Sequence, residues 1–582
     1  MTHLPDIFMI SPPSGAGDPP DESARVSRKC RLLRLLLIFF GGTLYAAALP
    51  PLNWNLLAFL TLVPLLLFAV NATWRAAAFA GWIWGLGWAL FAFRFLREIH
   101  PAVPWLLAPV ISLWPAVWAA ALPWLWRSSL FPALAEDGGF DAREKFLHTS
   151  AAFFRLLLFA VGSAALFTLL EWTRSRLFTW NDLGVTMWRN TAMLQIAAFT
   201  GGYGVNFLVA LANTGIFAAC RTRFRGPGLR VMLAVLLLLT LAMLGGLLRI
   251  VQYEPLRPNW FPALVQGDIS QRRNASLAEA QEALDIYLAL SSRAPQLAPK
   301  PELIVWPESA VPVPFRSTHP VSAQFRFGVA RLIARTGLPM LIGSIDFADT
   351  LPGGGPPGVT NSALFFSADG KLRHKYDKIH RVPFGEYIPF RSLLPEFVIR
   401  AVDMNRDLTP GVNPNPIRLR DDVRAGTAIC YEGVFGYLTR EFARRGANVL
   451  VVLSNDAWYP VSSEPEQHLA NAVTRAVETG LPMVRCGNNG GSGVVTPLGV
   501  FTQILEVPGP EARLELRRGR GIVTVRVGVE PEPAETFFVR HGEWFIAVLA
   551  AVVIFHAAVA LIQYRKRKER LLQLARQQGS TS

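Results

Sequence analysis

Charged residues are scarce in this chain. Asp, Glu, Lys and Arg make up 17% of its 582 residues, below the roughly 25% of ordinary soluble domains, so the composition is not that of a soluble protein. Cysteine is scarcer still. Cys30, Cys220, Cys430 and Cys486 are the whole set, too few for a disulfide-built scaffold, and none stands with His at a metal-ligand spacing. There is no Walker loop and no glycine-rich phosphate fingerprint after a strand, so no nucleotide, metal or other cofactor is expected. The middles of the apolar runs are also nearly free of ionisable groups: Arg155 begins one, Glu171 ends it, and His556 stands alone in the last. A transport path would show more of them, which leaves the runs as a platform.

What is abundant is apolar: 51% of residues, gathered in long runs as a bilayer requires. Eight candidate spans can be drawn, at 32–49, 52–70, 76–95, 103–126, 150–171, 202–220, 230–250 and 542–563. The expected organisation is a disordered tail over 1–30, a membrane bundle of about seven helices over 31–252, a polar domain over 258–535, a final transmembrane helix over 541–564 and a basic tail over 565–582. Arg25, Arg28, Lys29, Arg31 and Arg34 precede the first span, Arg221, Arg223, Arg225 and Arg230 lie between the sixth and seventh, and Arg565, Lys566, Arg567, Lys568 and Arg570 follow the last. An even number of spans puts all three clusters on the cytoplasmic side and the polar domain outside. The net charge of +15 is therefore largely topological, and no nucleic-acid partner is expected.

The polar domain has another texture. Short β-prone runs, among them Ala263–Gln266, Leu303–Trp306, Gly426–Ile429 and Val449–Leu453, alternate with helical patterns near 275–292, 321–336, 433–445 and 464–479. Such alternation predicts an α/β domain with buried sheets.

Three strings in it each end an apolar or β-prone run on an ionisable residue: Val305-Trp306-Pro307-Glu308, Tyr376-Asp377-Lys378 and Ile429-Cys430-Tyr431-Glu432. They supply a carboxylate, an ammonium and a thiol, enough for covalent acyl chemistry. Taken singly each has a bland reading: a loop acid, a hairpin charge, a small buried hydrophobe. A Cys430–Cys486 disulfide is also open in an oxidising compartment, although Cys430 closes a buried-strand pattern.

Together, and in this order, the strings resemble the nitrilase (carbon–nitrogen hydrolase) superfamily over about 262–529. Further matching strings are Val265-Gln266-Gly267-Asp268-Ile269, Val382-Pro383-Phe384-Gly385-Glu386-Tyr387-Ile388-Pro389, Ser454-Asn455-Asp456-Ala457-Trp458, Gln467-His468 and Asn488-Asn489-Gly490. With the preceding bundle and the final span, the chain is similar to the apolipoprotein N-acyltransferases. The resemblance implies a multi-span α-helical bundle joined to a domain of stacked sheets flanked by helices, α-β-β-α. It implies that Cys430 is the nucleophile, Glu308 the proton carrier and Lys378 the oxyanion donor, with Lys378 also favouring the thiolate. Glu386, Tyr431, Glu432, Asn361 and Trp458 would support the site or bind substrate. The implied donor is a membrane phospholipid, the acceptor the amino-terminal diacylglyceryl-cysteine of an apolipoprotein, and the location a bacterial inner membrane with the catalytic domain periplasmic. Alternatives are a membrane-tethered amidase or nitrilase on a small soluble C–N substrate and a non-enzymatic membrane transporter or scaffold. The apolar loop Pro383 to Leu408, with Phe384, Phe390, Leu393, Leu394, Phe397 and Val398, is expected to be a lid with Glu386 at its base, and argues for a lipid substrate. After Gly267-Asp268-Ile269 the stretch Ser270-Gln271-Arg272-Arg273-Asn274 lacks the family's tryptophan, so an aromatic lipid contact is expected to be either missing or supplied elsewhere.

Overall fold

The computed structural model describes residues 20–129, 142–271, 276–349, 357–393, 395–396, 399, 407–459, 462–505 and 519–579. Residues 1–19, Arg272, Arg273, Asn274, Leu394, Phe397 and Val398 lie outside them, and with them parts of the expected tail and lid. The chain divides into two compact units. One holds the described residues up to Met187, Gly202–Leu247 and those from Glu543 on; the other holds Trp188–Gly201 and Leu248–Gly542.

The first unit is helical. Among the described residues, six helices are long and apolar enough to cross a membrane: Arg31–Ala48, Val103–Ser128, Ser150–Leu177, Gly202–Arg221, Gly226–Gln252 and Trp544–Ile562. The count differs from the eight candidate spans for physical reasons. The 52–70 run breaks into a 3-10 turn, Asn55–Phe59, and a short helix, Val63–Ala69, with Pro64 in its first turn. The 76–95 run does form a helix, Trp74–Ala92, in which Arg75 and the tryptophans 74, 82, 84 and 88 bring polar atoms among its apolar residues. Glycines let this helix meet its neighbour closely: a Cβ on Gly42 would strike the Trp84 carbonyl, and one on Gly87 the Phe39 carbonyl. Such small-residue contacts are how helices pack where lipid removes the hydrophobic drive between them. The residues of Gly226–Gln252 that belong to this unit keep Leu233, Leu236, Leu237, Leu241, Leu244 and Leu247 exposed, a surface suited to lipid tails.

Arg174 and His556 are paired inside this unit. The guanidinium of Arg174 bonds Glu171 at 2.6 Å and the carbonyls of Phe178 and Trp180 at 3.1 and 3.0 Å. His556 faces the Leu158 carbonyl at 3.0 Å, a packed residue with no ionisable relay around it in these contacts.

The second unit is built on two six-stranded sheets. The first contains β1 (Pro262–Gln266), β2 (Leu303–Trp306), β3 (Met340–Phe347), β4 (Val359–Phe366), β5 (Leu372–Asp377) and β12 (Gly521–Thr524), in the order β12-β1-β2-β3-β4-β5. The second contains β6 (Ile417–Arg420), β7 (Val423–Ile429), β8 (Val449–Ser454), β9 (Met483–Gly487), β10 (Gly493–Val495) and β11 (Phe501–Thr502), in the order β11-β10-β9-β8-β7-β6. β1–β2–β3 and β7–β8–β9 are parallel trios and the outer pairings are antiparallel. The trios are buried on both faces, which is why most of their residues are apolar, with Arg424 in β7 and Arg485 in β9 as exceptions. One face of the first sheet, with Val265, Ile304, Trp306, Met340, Ile342, Leu364 and Phe366, packs on the helices Leu277–Ser291 and Pro320–Thr336. The other meets the second sheet: the Cys486 thiol on β9 touches the Val305 carbonyl of β2 at 3.3 Å. Gly436–Arg444 and Glu464–Thr479 supply the helices associated with the second sheet. The layering is α-β-β-α.

Sequence signals explain the helix ends. Ser276 and Glu279 form a reciprocal capping box, and Gly337 and Gly480 close two helices with left-handed φ of +68° and +71°. Residues 188–201, expected within the bundle, belong instead to this second unit. Their short helices Thr191–Leu194 and Ala197–Thr200 are too brief to span, and polar groups fix them: Gln195 donates to the Leu498 carbonyl at 3.0 Å and accepts from Arg249 at 2.9 Å.

Candidate active site

β2 and β5 run the same way in the first sheet, β7 lies in the second, and each carries one of the three ionisable residues just past its C-terminal end. That is where open α/β sheets place their chemistry. Glu308 follows β2 after Trp306-Pro307, Lys378 follows β5, and Cys430 follows β7 as the first residue of a 3-10 turn, Cys430–Val434. Cys430 has a φ of +52° and Ser309, next to Glu308, a φ of +47°. For residues with a β-carbon such backbone costs roughly 1–3 kcal/mol and persists only where neighbours enforce it.

The enforcing neighbours are visible. Glu432 is fully buried. Its Oε2 accepts from the Ile429 N–H at 2.8 Å, and its Oε1 accepts from the Ile379 and His380 N–H groups at 2.6 and 3.0 Å and from the Tyr376 hydroxyl at 2.9 Å. One carboxylate thereby ties the turn bearing Cys430 to the turn bearing Lys378. Burial pushes this carboxyl up to about 7, against the pull of the Ile429 and His380 N–H groups and Lys378.

Lys378 is buried between two acids. Its Nζ lies 2.9 Å from Glu386 Oε1 and 3.3 Å from Glu308 Oε1. Asn361 Nδ2 donates to the same two oxygens, at 2.9 and 2.7 Å, so shared donors bridge the two carboxylates. Glu386 Oε2 takes the Val382 N–H at 2.8 Å, which closes the segment between Lys378 and Glu386 on itself. Burial alone would lower the Lys378 ammonium, but Glu386 and then Glu308 outweigh it, and the group stays charged well above its ordinary range.

Cys430 is partly exposed. Burial around its sulfur and then the Glu308 charge push the thiol well above its ordinary 9, and Lys378 only partly offsets them. Lys378 does pull toward the thiolate, as expected, but burial and Glu308 outweigh it. The arrangement is a neutral thiol beside a carboxylate base and a fixed cation. Tyr431 packs edge-on against Phe435 at 4.9 Å, and Trp458, in the turn Asp456–Trp458 after β8, keeps its ring exposed. Phe384, Phe390 and Leu393 are exposed on the loop after Lys378.

Sequence reasoning assigned no role to several residues that build this end of the sheets. Asn455 Nδ2 donates to the Glu308 carbonyl at 3.2 Å, and its Oδ1 accepts from Asn488 at 3.0 Å. His468 bonds the Cys430 carbonyl at 3.1 Å. All three sit in the quoted Ser454–Trp458, Gln467-His468 and Asn488–Gly490 strings, which was the available signal. Cys430, Asp456 and His468 bring one potential metal-ligand atom each within 4.8 Å of one another, but Asp456 is already taken by the Arg485 guanidinium at 2.5 Å and the Ser454 hydroxyl at 2.7 Å. Cys486 is a free, fully buried thiol.

Comparison with known proteins agrees in order and extent. The carbon–nitrogen hydrolase family matches residues 263–505, and the apolipoprotein N-acyltransferase N-terminal domain matches residues 41–215. The chain is 32% identical over 550 residues to an apolipoprotein N-acyltransferase of Geobacter metallireducens, covering 91% of this chain and 95% of that one. It is 28% identical to the protein of the same name from Rhodopseudomonas palustris, over 92% and 95% of the two chains. Among solved structures, the amidase of Nesterenkonia sp. AN1 is 18% identical, with a TM-score of 0.33 over 49% of this chain and 98% of that one. Near-full-length likeness to the Geobacter protein, with both family segments in order, means that the chain belongs to the apolipoprotein N-acyltransferase family.

Proposed function

We propose that this chain completes lipoprotein maturation by moving an acyl chain from a membrane phospholipid, through a thioester on Cys430, to the α-amine of an amino-terminal diacylglyceryl-cysteine. The observation that carries the reading is the Lys378 ammonium held 3.3 Å from Glu308 and within electrostatic reach of the Cys430 thiol. In the first half-reaction Glu308 takes the thiol proton as Sγ attacks the ester carbonyl carbon. Lys378 stabilises the oxyanion. The ester C–O bond then breaks, and Glu308 returns the proton to the departing lysophospholipid oxygen. In the second half the acceptor amine attacks the thioester carbonyl, Glu308 takes its proton, and the C–S bond breaks to regenerate the thiol as that proton returns. Glu386 anchors Lys378, Asn361 donates to Glu308, and Glu432 aligns the two turns.

The six apolar helices and the matched N-terminal domain support a membrane setting and a lipid donor over a soluble amide substrate. Three basic clusters on one side favour a bacterial inner membrane with the domain at 258–535 in the periplasm. Intact mass analysis of protein purified from membranes tests the reading. A mass gain of one acyl chain, removed by neutral hydroxylamine and absent from Cys430→Ala, is expected. Protein that turns over lipoprotein acceptors without ever carrying such an adduct overturns it.

A further inference from the structure

The nucleophile turn has a second support that the proposed mechanism does not use. His468, on the helix Glu464–Thr479, is buried and presents Nε2 to the backbone carbonyl of Cys430 at 3.1 Å. A carbonyl oxygen can only accept, so Nε2 carries the proton of this bond. On the other side of the ring, Nδ1 faces Asp456 Oδ1 at 2.9 Å, with Glu464 Oε1 farther off at 3.9 Å. Asp456 is itself fixed: Oδ2 meets Arg485 Nη2 at 2.5 Å, and Oδ1 accepts from Ser454 Oγ at 2.7 Å, the same hydroxyl that accepts from Arg485 at 3.0 Å. Burial would raise the Asp456 carboxyl, but Arg485 and His468 hold it down at about 2, so it remains an anion. Three elements of the second sheet and its helix thus converge on one peptide group: β8 through Ser454 and Asp456, β9 through Arg485, and the helix through His468. That peptide belongs to Cys430, whose φ of +52° an unsupported turn would relax.

We propose that His468 is a positioning residue for the acyl-transfer nucleophile: braced by Asp456 and Arg485, it holds the Cys430 carbonyl and with it the left-handed turn that aims Sγ at Glu308 and at the substrate carbonyl. This rests on the reading of Cys430 as the nucleophile. It differs from a Cys–His pair, because the ring is engaged with the backbone of Cys430 and is not the base. The role is mechanical, and its loss is felt in acylation rate and not in lipid binding.

Glutamine and asparagine separate the two halves of the ring. The amide nitrogen of His468→Gln stands about where Nε2 does and keeps the bond to the carbonyl; that of His468→Asn stands about where Nδ1 does and keeps only the bond to Asp456. Both bury a polar amide, so a merely structural defect affects both. Single-turnover thioester formation is measured on the purified full chain with phosphatidylethanolamine vesicles, alongside KM for the phospholipid. The Asn variant is expected to form thioester ~10- to 100-fold more slowly, the range for a small misplacement of a reacting atom, with KM unchanged. The Gln variant, which keeps the carbonyl bond and loses the brace from Asp456, is expected to acylate at a rate between those of the Asn variant and wild type. Equal rates in the two variants, or a faster Asn than Gln variant, overturn the proposal. Asp456→Asn, which loosens the grip on the ring from the far side, gives a second route should the Asn variant not fold: it too is expected to slow acylation, and a wild-type rate overturns the proposal. A parallel Cys430→Ala sample keeps the two readings apart, since an adduct there refutes the nucleophile and leaves the His468 comparison to be judged separately.

Discussion

Glu432 Oε1 accepts the Ile379 backbone N–H at 2.6 Å. Because the same carboxylate also takes the N–H of Ile429 at 2.8 Å, the residue before Cys430 and the residue after Lys378 are tied to a single side chain across two sheets. Glu432→Gln keeps the volume but replaces one acceptor oxygen by an NH2 that faces donors. Leaving buried donors unmet costs roughly 1–3 kcal/mol each. The variant should melt at a lower temperature and acylate slowly, while Glu432→Ala should be worse on both measures. A Gln variant with wild-type melting and rate would show that the tie is dispensable.

The two thiols of the second unit differ in surroundings. Cys430 is partly exposed beside Glu308, whereas Cys486 is sealed between the sheets against the Val265 and Val305 carbonyls. Cys430→Ala is expected to abolish both the acyl adduct and transfer. Cys486→Ser should retain most activity, with some loss of stability from burying a hydroxyl. Adduct mapping by peptide mass spectrometry decides between them, and acyl on Cys486 would reverse the assignment.

The Cys430 thiol is pushed above its ordinary 9 by burial and by Glu308. A raised pKa means that the proton is held more tightly, so little thiolate exists at neutral pH and its fraction grows only as pH rises past 9. The 240 nm thiolate absorbance, taken as wild type minus Cys430→Ala, should therefore be absent at pH 7 and appear above pH 9. A step near pH 5 to 7 would mean a resting thiolate and would remove the need for Glu308 as base.

Lys378 and Glu308 act on the same half-reaction in the proposed mechanism. Lys378→Ala and Glu308→Gln should each block thioester formation from phospholipid alone. Removing an oxyanion donor typically costs ~100- to 1000-fold, and Lys378→Ala also leaves Glu386 and Glu308 facing each other without their cation. Normal adduct formation in Lys378→Ala followed by slow transfer to the amine would move its role to the second half.

Phe384, Phe390 and Leu393 are exposed on the loop that leaves Lys378 past Glu386. Exposed apolar side chains next to a reactive site suit a lipid surface better than a small soluble substrate. Replacing all three with serine is expected to slow acyl transfer from phospholipid vesicles while sparing alkylation of Cys430 by iodoacetamide. Transfer at the normal rate in the triple variant would make the loop mere packing.

How legible this was can be judged residue by residue. β2, β7 and β8 stood out because parallel strands buried on both faces must be apolar throughout, and Leu303–Trp306, Val423–Ile429 and Val449–Ser454 largely are. β6, Ile417–Arg420, and β12, Gly521–Thr524, were invisible: edge strands need little apolar content and tolerate charge. The 52–70 run looked like a span because hydropathy ignores where a helix breaks.

By itself the sequence determined the chemistry on offer, a thiol, a carboxylate and an ammonium each ending a strand, and the apolar runs that call for a membrane, because both depend on residue type and local order. Only the tertiary structure decided how the three ionisable groups are balanced. That Lys378 is shared by Glu308 and Glu386, that Glu432 joins two turns 53 positions apart at Ile379, and that His468 holds the Cys430 carbonyl all rest on contacts between distant segments. Such contacts leave no periodicity in the chain, since a hydrogen bond across two sheets constrains distance in space and not spacing in sequence.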